Sequence, residues 1–290
     1  MTNPIDGLLD VLDLVDTGAR TSEDIFTGPS QWMPHGRVFG GQVLAQSVVA
    51  ASRTVPDDRA VHSMHGYFLR PGDVNLPITF SVDRIHDGRS FATRRTQAYQ
   101  NGVPILSMIA SFQDPDDGVD HQIEMPADIP APESLPTTAE LIGHIDHDVA
   151  RYWSTERAFD VRHVESPIFL SVEGERVAHQ AVWMKAAGPL PDDDRLHRAA
   201  LAYATDYSIL ESPMRRHGVP WAMRGLRVAS LDHAMWWHRS GRVDEWLLYV
   251  QDSPSASGGR GLARGSIFSA DGVLLASVAQ EGMIRVPDAR

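Results

Sequence analysis

Apolar residues recur every three or four positions in the segment GGQVLAQSVVAASR (40–53), where Val43, Leu44, Val48 and Ala51 fall on one face. That spacing predicts a helix of about four turns. A second such run, HRAALAYATDYSIL (197–210), predicts another helix. After each helix the period drops from near four to two, first across residues 77–112 and again across 245–285. Period two is the signature of strands. The dipeptides Asn101-Gly102 and Asp271-Gly272 each sit between two apolar runs, the strongest short signal for a hairpin. Strands that follow one helix and are joined by hairpins predict an antiparallel sheet wrapped around that helix, an α+β architecture. A doubly wound fold would need regular strand–helix alternation, which the pattern lacks.

The two runs resemble each other. VHSMH (61–65) aligns with VASLD (228–232), GRSFATR (88–94) with GRGLAR (259–264), and NGVPILSMIASF (101–112) with DGVLLASVAQEG (271–282). The spacing is nearly constant, which implies two copies of one fold packed as a pseudo-dimer. Between them lies DPDDGVDHQIEMPADIPAPESLPTT (114–138), acidic, rich in proline and without period, which reads as a linker. The expected organisation is a first repeat over 1–113, a linker over 114–155 and a second repeat over 156–290. The opening MTNPIDGLLDVLDLV reads as an amphipathic helix rather than a signal peptide.

Composition narrows the function. A chain of 290 residues with 42% hydrophobic content suits two domains or one large α/β unit, and the formal net charge of -12 argues against a nucleic-acid binder. No run is long and uncharged enough for a membrane span. There is no cysteine, so disulfides, thiolate metal sites and a cysteine nucleophile are excluded. Lys185 is the only lysine, and the remaining basic residues are arginines.

The densest chemistry is ASLDHAMWWH (229–238). Read as one strand, it puts Ser230, Asp232, Trp236 and His238 on one face and Leu231, His233, Met235 and Trp237 on the other. Asp232 and His233 then form no dyad. His233 and His238 point apart, so metal binding is disfavoured, and no HExxH occurs. There is no GxSxG elbow, no P-loop, and GRGLARG (259–265) lacks dinucleotide-fingerprint spacing. The repeat supplies an internal control. The second helix carries Asp206 among small and apolar neighbours, where the first has no acid before Asp57. Gln280 stands where the first copy has Ala110, while serine occurs in both copies, as Ser63 and Ser230. An acid in an apolar setting is costly unless paired or used. The second copy thus offers Asp206, Ser230 and Gln280 as a candidate site.

RVFGGQVLAQ, VHSMHGYFLRPGD, DGRSFATRR, the ATD of the second helix, SLDHAMWWHR and the QEG near the C-terminus together resemble the acyl-CoA thioesterase II family. The resemblance spans nearly the whole chain and implies a tandem (double) hotdog fold. It implies hydrolysis of acyl-CoA to a free acid and CoA, with no cofactor and no metal. It assigns the catalytic trio to Asp206, Ser230 and Gln280; some members carry threonine where Ser230 stands, and both supply a hydroxyl. The trio would hold one water, with Asp206 as general base or, alternatively, as a nucleophile forming an anhydride. By analogy with simpler hotdog thioesterases, the backbone amide near Gly41 would bind the substrate oxyanion. Asp232, His233 and His238 are expected to be structural, with one tryptophan against the helix and the other in an interface. Arg53, Arg70, Arg89, Arg94 and Arg95 are candidates for the CoA phosphates. Two other readings stay open: a hotdog enoyl-CoA hydratase with an Asp/His pair, and a non-catalytic acyl-CoA sensor. A homo-oligomer is expected, because exposed sheet edges and faces of hotdog units commonly associate, and VPDAR (286–290) carries no peroxisomal tripeptide, so a cytoplasmic location is expected.

Overall fold

The computed structural model describes residues 3–19 and 21–287, so the last three residues of VPDAR lie outside the described residues. In chain order the first half comprises α1 (Pro4–Leu12), β1 (Val15–Asp16), β2 (Asp24–Gly28), α2 (Gly40–Ser52), β3 (Ala60–Phe68), β4 (Ile78–Asp87), β5 (Phe91–Gln100) and β6 (Val103–Gln113). Two short helices, α3 (Thr138–Ile142) and α4 (Asp148–Arg151), punctuate the middle of the chain. The second half comprises β7 (Phe159–His163), β8 (His179–Ala186), α5 (Asp194–Thr205), α6 (Glu211–Arg216), β9 (Arg227–Ser230), β10 (Asp232–Trp237), β11 (Leu247–Ser257), β12 (Arg260–Ser269) and β13 (Leu274–Arg285).

The first predicted helix and the hairpins form where the pattern puts them; the second helix starts earlier and ends at Thr205, so residues 206–210 are turns rather than helix. Asn101 and Gly102 both have positive φ, the geometry a two-residue hairpin needs between β5 and β6. The N-terminal helix α1 starts on Asn3, whose side chain accepts the Ile5 N–H, and buries Ile5, Leu8, Val11 and Leu12 at helical spacing. Nearly every residue of α2 is buried, including Gln42 and Gln46. A helix buried all round belongs inside a fold, not on its surface. The two glutamines are satisfied there: both donate to Pro29 O, and Gln46 also to Val11 O at 2.8 Å.

All thirteen strands make one antiparallel sheet, in the order β1-β2-β4-β5-β6-β3-β10-β13-β12-β11-β8-β7, with β9 also paired to β13. The equivalent strands of the two copies, β3 and β10, meet at the centre, with Met64 opposite Met235. The helices α2 and α5 pack against each other inside the curl of the sheet. One core of buried residues runs through both copies, from Leu44 and Phe80 to Tyr249 and Ile267. This is the double hotdog that the resemblance implies.

The copies differ in two ways. A segment that includes α6 and Trp221 is inserted between α5 and β9, with no counterpart between α2 and β3. The acidic linker is also more than a tether. Its Met125, Ile129 and Leu135 cover the outer face of the second sheet, over Trp183, Leu248 and Phe268. The Trp183 Nε1–H donates to Pro130 O at 2.9 Å, and the Gln122 amide pairs with Gly272 O and the Leu274 N–H. On the outer face around the β3–β10 junction, by contrast, Tyr67, Ile109 and Trp236 remain exposed.

The helix–helix contact has a sharp steric limit. A Cβ on Gly41 would lie 2.2 Å from the Tyr203 carbonyl oxygen. Backbone cannot give way as a flexible side chain can. Gly41→Ala is therefore expected to lower stability by about 1–3 kcal/mol, the usual range for overpacking a filled core. Thermal unfolding would show a drop of several degrees; an unchanged Tm would contradict this reading of the contact.

Candidate active site

The three candidate residues arrive from three elements. Asp206 caps the C-terminal end of α5, just outside the helix proper. Its carboxylate faces the N-terminal end of α2, where a Cβ on Gly40 would lie 2.5 Å from Oδ2. A helix N-terminus favours a negative charge beside it. Gln280 comes from β13 and is fully buried. Ser230 is the last residue of β9.

The route by which Ser230 reaches the site corrects the alternation expected for 229–238. Ser230 pairs with Gly282 in β9, whereas Ala234 pairs with Ala279 in β10. One extra residue therefore stands on this side of the ladder, a β-bulge. It brings Ser230 and His233 to the same interior side, where strict alternation would have separated them. Asp232 still points away from His233, and its Oδ1 accepts the Glu281 N–H at 2.6 Å.

Side chains that are distant in sequence thereby converge. The Gln280 Nε2 donates to Asp206 Oδ1 at 2.9 Å and to Ser230 Oγ at 2.8 Å. The Ser230 hydroxyl donates to the same Asp206 oxygen at 3.1 Å. On the far side, Gln280 Oε1 bonds to Nδ1 of the buried His233, and His233 Nε2 lies 3.2 Å from Thr205 Oγ1. Burial pushes the Asp206 carboxyl up to about 6, against the hydrogen bonds from Gln280, Ser230 and the Gly41 backbone that favour its charged form. Burial also lowers His233 to about 4, opposed by its bond to Gln280. A carboxylate poised near neutrality and held in place is suited to taking a proton from water.

Asp206 and Ser230 open onto a cleft of about 660 Å³ between the two copies. Phe39, Phe68, Ile105, Leu210, Trp221 and Val228 give it apolar walls. His35, Arg37 and Arg70 also line it. Gln280 does not line the cleft; it stands behind the other two. Gly41 is likewise buried behind the wall, and its neighbour Gly40 lines the cleft instead. Of the five candidate arginines, Arg70 alone lines the cleft. The other assignments are structural or remote: Arg94 is buried and tied to Asp87 and Thr54, Arg53 to Asp13, and Arg95 to Asp83. Arg89 is absent from the lining. Trp237 is buried, while the exposed Trp236 meets His65 edge to face.

Arg37 and Trp221 were not singled out by the sequence, and Gly40 only as the neighbour of Gly41 at the start of the first helix. Arg37 and Gly40 flank the VF of the RVFGG motif, so that motif was the available signal. Trp221 had none, because it sits in the insertion unique to the second copy. Its Nε1–H donates to Glu211 Oε1 at 2.9 Å, and Glu211 Oε2 bonds the buried His163 at 2.9 Å. Among the described residues no group of three or more His, Cys, Asp or Glu is placed to hold a metal ion. Among the same residues no helix is long and apolar enough to cross a membrane.

A two-copy hotdog sheet with a half-buried acid and hydroxyl on an apolar cleft, and a buried amide behind them, defines a class of acyl-thioester enzyme. The comparisons with known proteins make that class specific. A family model described as acyl-CoA thioesterase matches residues 153–283, and one described as acyl-CoA thioesterase N-terminal domain matches residues 28–113. Acyl-CoA thioesterase 2 of Haemophilus influenzae is 35% identical across 98% of this chain and 99% of its own length. The human acyl-coenzyme A thioesterase 8 is 38% identical across 91% of this chain and 85% of its own. The crystal structure of the acyl-CoA thioesterase II TesB2 from Mycobacterium marinum is 42% identical, covers 98% of both chains and superposes with a TM-score of 0.77. The chain belongs to the acyl-CoA thioesterase family.

The Gly40 contact can be tested directly. The atoms that a methyl there would meet are side-chain ends, Asp206 Oδ2 and the Phe68 ring. Gly40→Ala is expected to leave the fold intact and to displace the carboxylate. A crystal structure of the variant should show Asp206 moved off Gln280 and Ser230; an undisturbed trio would contradict the packing described.

Proposed function

We propose that this protein hydrolyses acyl-CoA thioesters by direct attack of a water held on Asp206 and Ser230. The observation that carries the reading is the Asp206 carboxylate, half-buried, raised to about 6 and fixed by Gln280 and Ser230 on the cleft wall. Asp206 takes a proton from the water as the oxygen attacks the thioester carbonyl. Ser230 orients the same water through its hydroxyl. Gln280 acts from behind, holding the carboxylate and the hydroxyl in register. The oxyanion forms at the first turn of α2, where Phe39 offers no capping side chain, the Gly41 N–H is taken by Asp206 and the Gln42 N–H by Phe39 O. Gly40, rather than Gly41, lines the cleft at this point, so its backbone is the better placed donor. The tetrahedral intermediate collapses by breaking the carbon–sulfur bond, and the proton held by Asp206 passes to the departing sulfur, so CoA leaves as the thiol and Asp206 returns to its ionised form.

The apolar walls suit an acyl chain. Arg37 and Arg70 supply cationic groups on a cleft of an otherwise acidic protein, which supports their pairing with the phosphates of CoA. The hydratase reading has less support: Asp232 and His233 face opposite sides, and neither lines the cleft. The uncovered face bearing Tyr67, Ile109 and Trp236 supports association of copies into a homo-oligomer.

Free-thiol release from acyl-CoA tests the reading without background, since the protein has no cysteine. Asp206→Asn is expected to lose about 10²–10⁴-fold in kcat, the usual worth of a positioned base. Because the reaction needs Asp206 ionised, kcat/KM should fall as pH drops through about 6 and level off above it. Turnover that survives the substitution would remove Asp206 from the chemistry. Absence of thiol release with every acyl chain would favour the sensor. Arg37→Ala and Arg70→Ala are expected to raise KM for acyl-CoA and to leave a short thioester without phosphates unaffected; equal effects on both substrates would contradict the phosphate role.

A further inference from the structure

His233 is fully buried, does not line the cleft and has no role in the hydrolysis described above, yet it touches the one trio member that is itself hidden. The hydrogen bonds from Asp206 to the ring fix each donor and acceptor. An ionised Asp206 accepts only, so the end of the Gln280 amide that faces Asp206 must be the NH₂. The other end, Oε1, therefore faces His233 Nδ1. An amide oxygen cannot donate, so Nδ1 must carry the proton. The ring has no carboxylate partner and is buried, which keeps it neutral. Nε2 is then bare and can accept from the Thr205 hydroxyl 3.2 Å away, which has Ala202 O at 2.9 Å as its other acceptor.

We infer that His233, as the neutral Nδ1–H tautomer with Nε2 facing the Thr205 hydroxyl, is a positioning residue that sets which way the Gln280 amide points. The inference rests on the hydrolytic reading above for its kinetic consequence, but not for its geometry. A glutamine amide fits its site in two orientations that differ by half a turn. With Nε2 toward Asp206 it gives one N–H to the carboxylate and the other to Ser230 Oγ. Turned over, it would set a carbonyl oxygen against the carboxylate, an acceptor facing an acceptor. The Nδ1–H rewards the first orientation and opposes the second, where it would meet the NH₂. The β-bulge at Leu231 matters here too, because it turns His233 and Ser230 toward the same amide.

Nitrogen-detected NMR of the ring and kinetics of two variants test this together. In wild type the histidine signal that disappears in His233→Asn should report a protonated Nδ1 and a bare Nε2, unchanged between neutral pH and about pH 5. A ring protonated at Nε2, or at both nitrogens, would overturn the inference whatever the enzyme's activity. His233→Leu removes the donor and is expected to lower kcat by about 10- to 100-fold with KM within about twofold, as one lost orienting hydrogen bond predicts. His233→Asn places an amide N–H near the former Nδ1 and is expected to recover most of that loss. Leucine with wild-type kcat would overturn the inference. So would asparagine as slow as leucine when both variants melt like wild type. Should leucine fail to fold, the tautomer and the asparagine variant still decide. Should no acyl-CoA be hydrolysed by wild type, the hydrolytic reading fails while the tautomer measurement stands by itself.

Discussion

The site depends on one carboxylate being drawn largely out of water at the junction of two helices. Asp206 ends α5 just where α2 begins, and both glycines at that start are needed for the approach: one leaves room for the carboxylate, the other for the Tyr203 carbonyl. Burying a charge this way is unfavourable without compensation. Three donors and a helix N-terminus offset part of the cost, and the remainder appears as a raised proton affinity. The same desolvation that makes the residue awkward for stability makes it useful as a base near neutral pH.

Duplication supplies the geometry that a single copy lacks. The two helices come from different copies, so the acid of the second copy faces the helix start of the first. The central β3–β10 pairing holds the two halves of the sheet in one register, and a shared core locks the helices over it. Once both copies were in one chain they were free to diverge. The second has Gln280 where the first has Ala110, and it has the α6 segment that brings Trp221 to the cleft. It also has its outer sheet face covered by the linker, while the outer face around the β3–β10 junction stays open.

Much of this was legible in the sequence, and the reasons are specific. Helix period, strand period and the Asn-Gly and Asp-Gly turns are local signals, so the α+β repeat could be read directly. The divergence between copies marked Asp206 and Gln280 because a polar residue against an apolar counterpart stands out in an aligned repeat. The side-chain direction of Ser230 could not be read, because a one-residue bulge leaves no mark on composition yet reverses every later assignment on the strand. The arginines were also unreadable: Arg94 and Arg70 look alike in a strand pattern, and their partners lie far along the chain. The linker looked unstructured for want of period, but irregular chain can still pack when a few apolar residues meet an open sheet face. Gly40 and Gly41 are adjacent in one motif, and only their three-dimensional surroundings separate the one on the cleft from the one behind it.

The central claim is that Asp206 activates water and does not itself bond to the acyl group. Single-turnover hydrolysis in heavy-oxygen water, with enzyme in excess over acyl-CoA, tests it most directly. The account predicts that the label enters the released acid and that the peptide containing Asp206 keeps its ordinary mass. Heavy oxygen in the Asp206 carboxyl group would mean that an anhydride formed and was opened at the enzyme's own carbonyl, and would contradict the account.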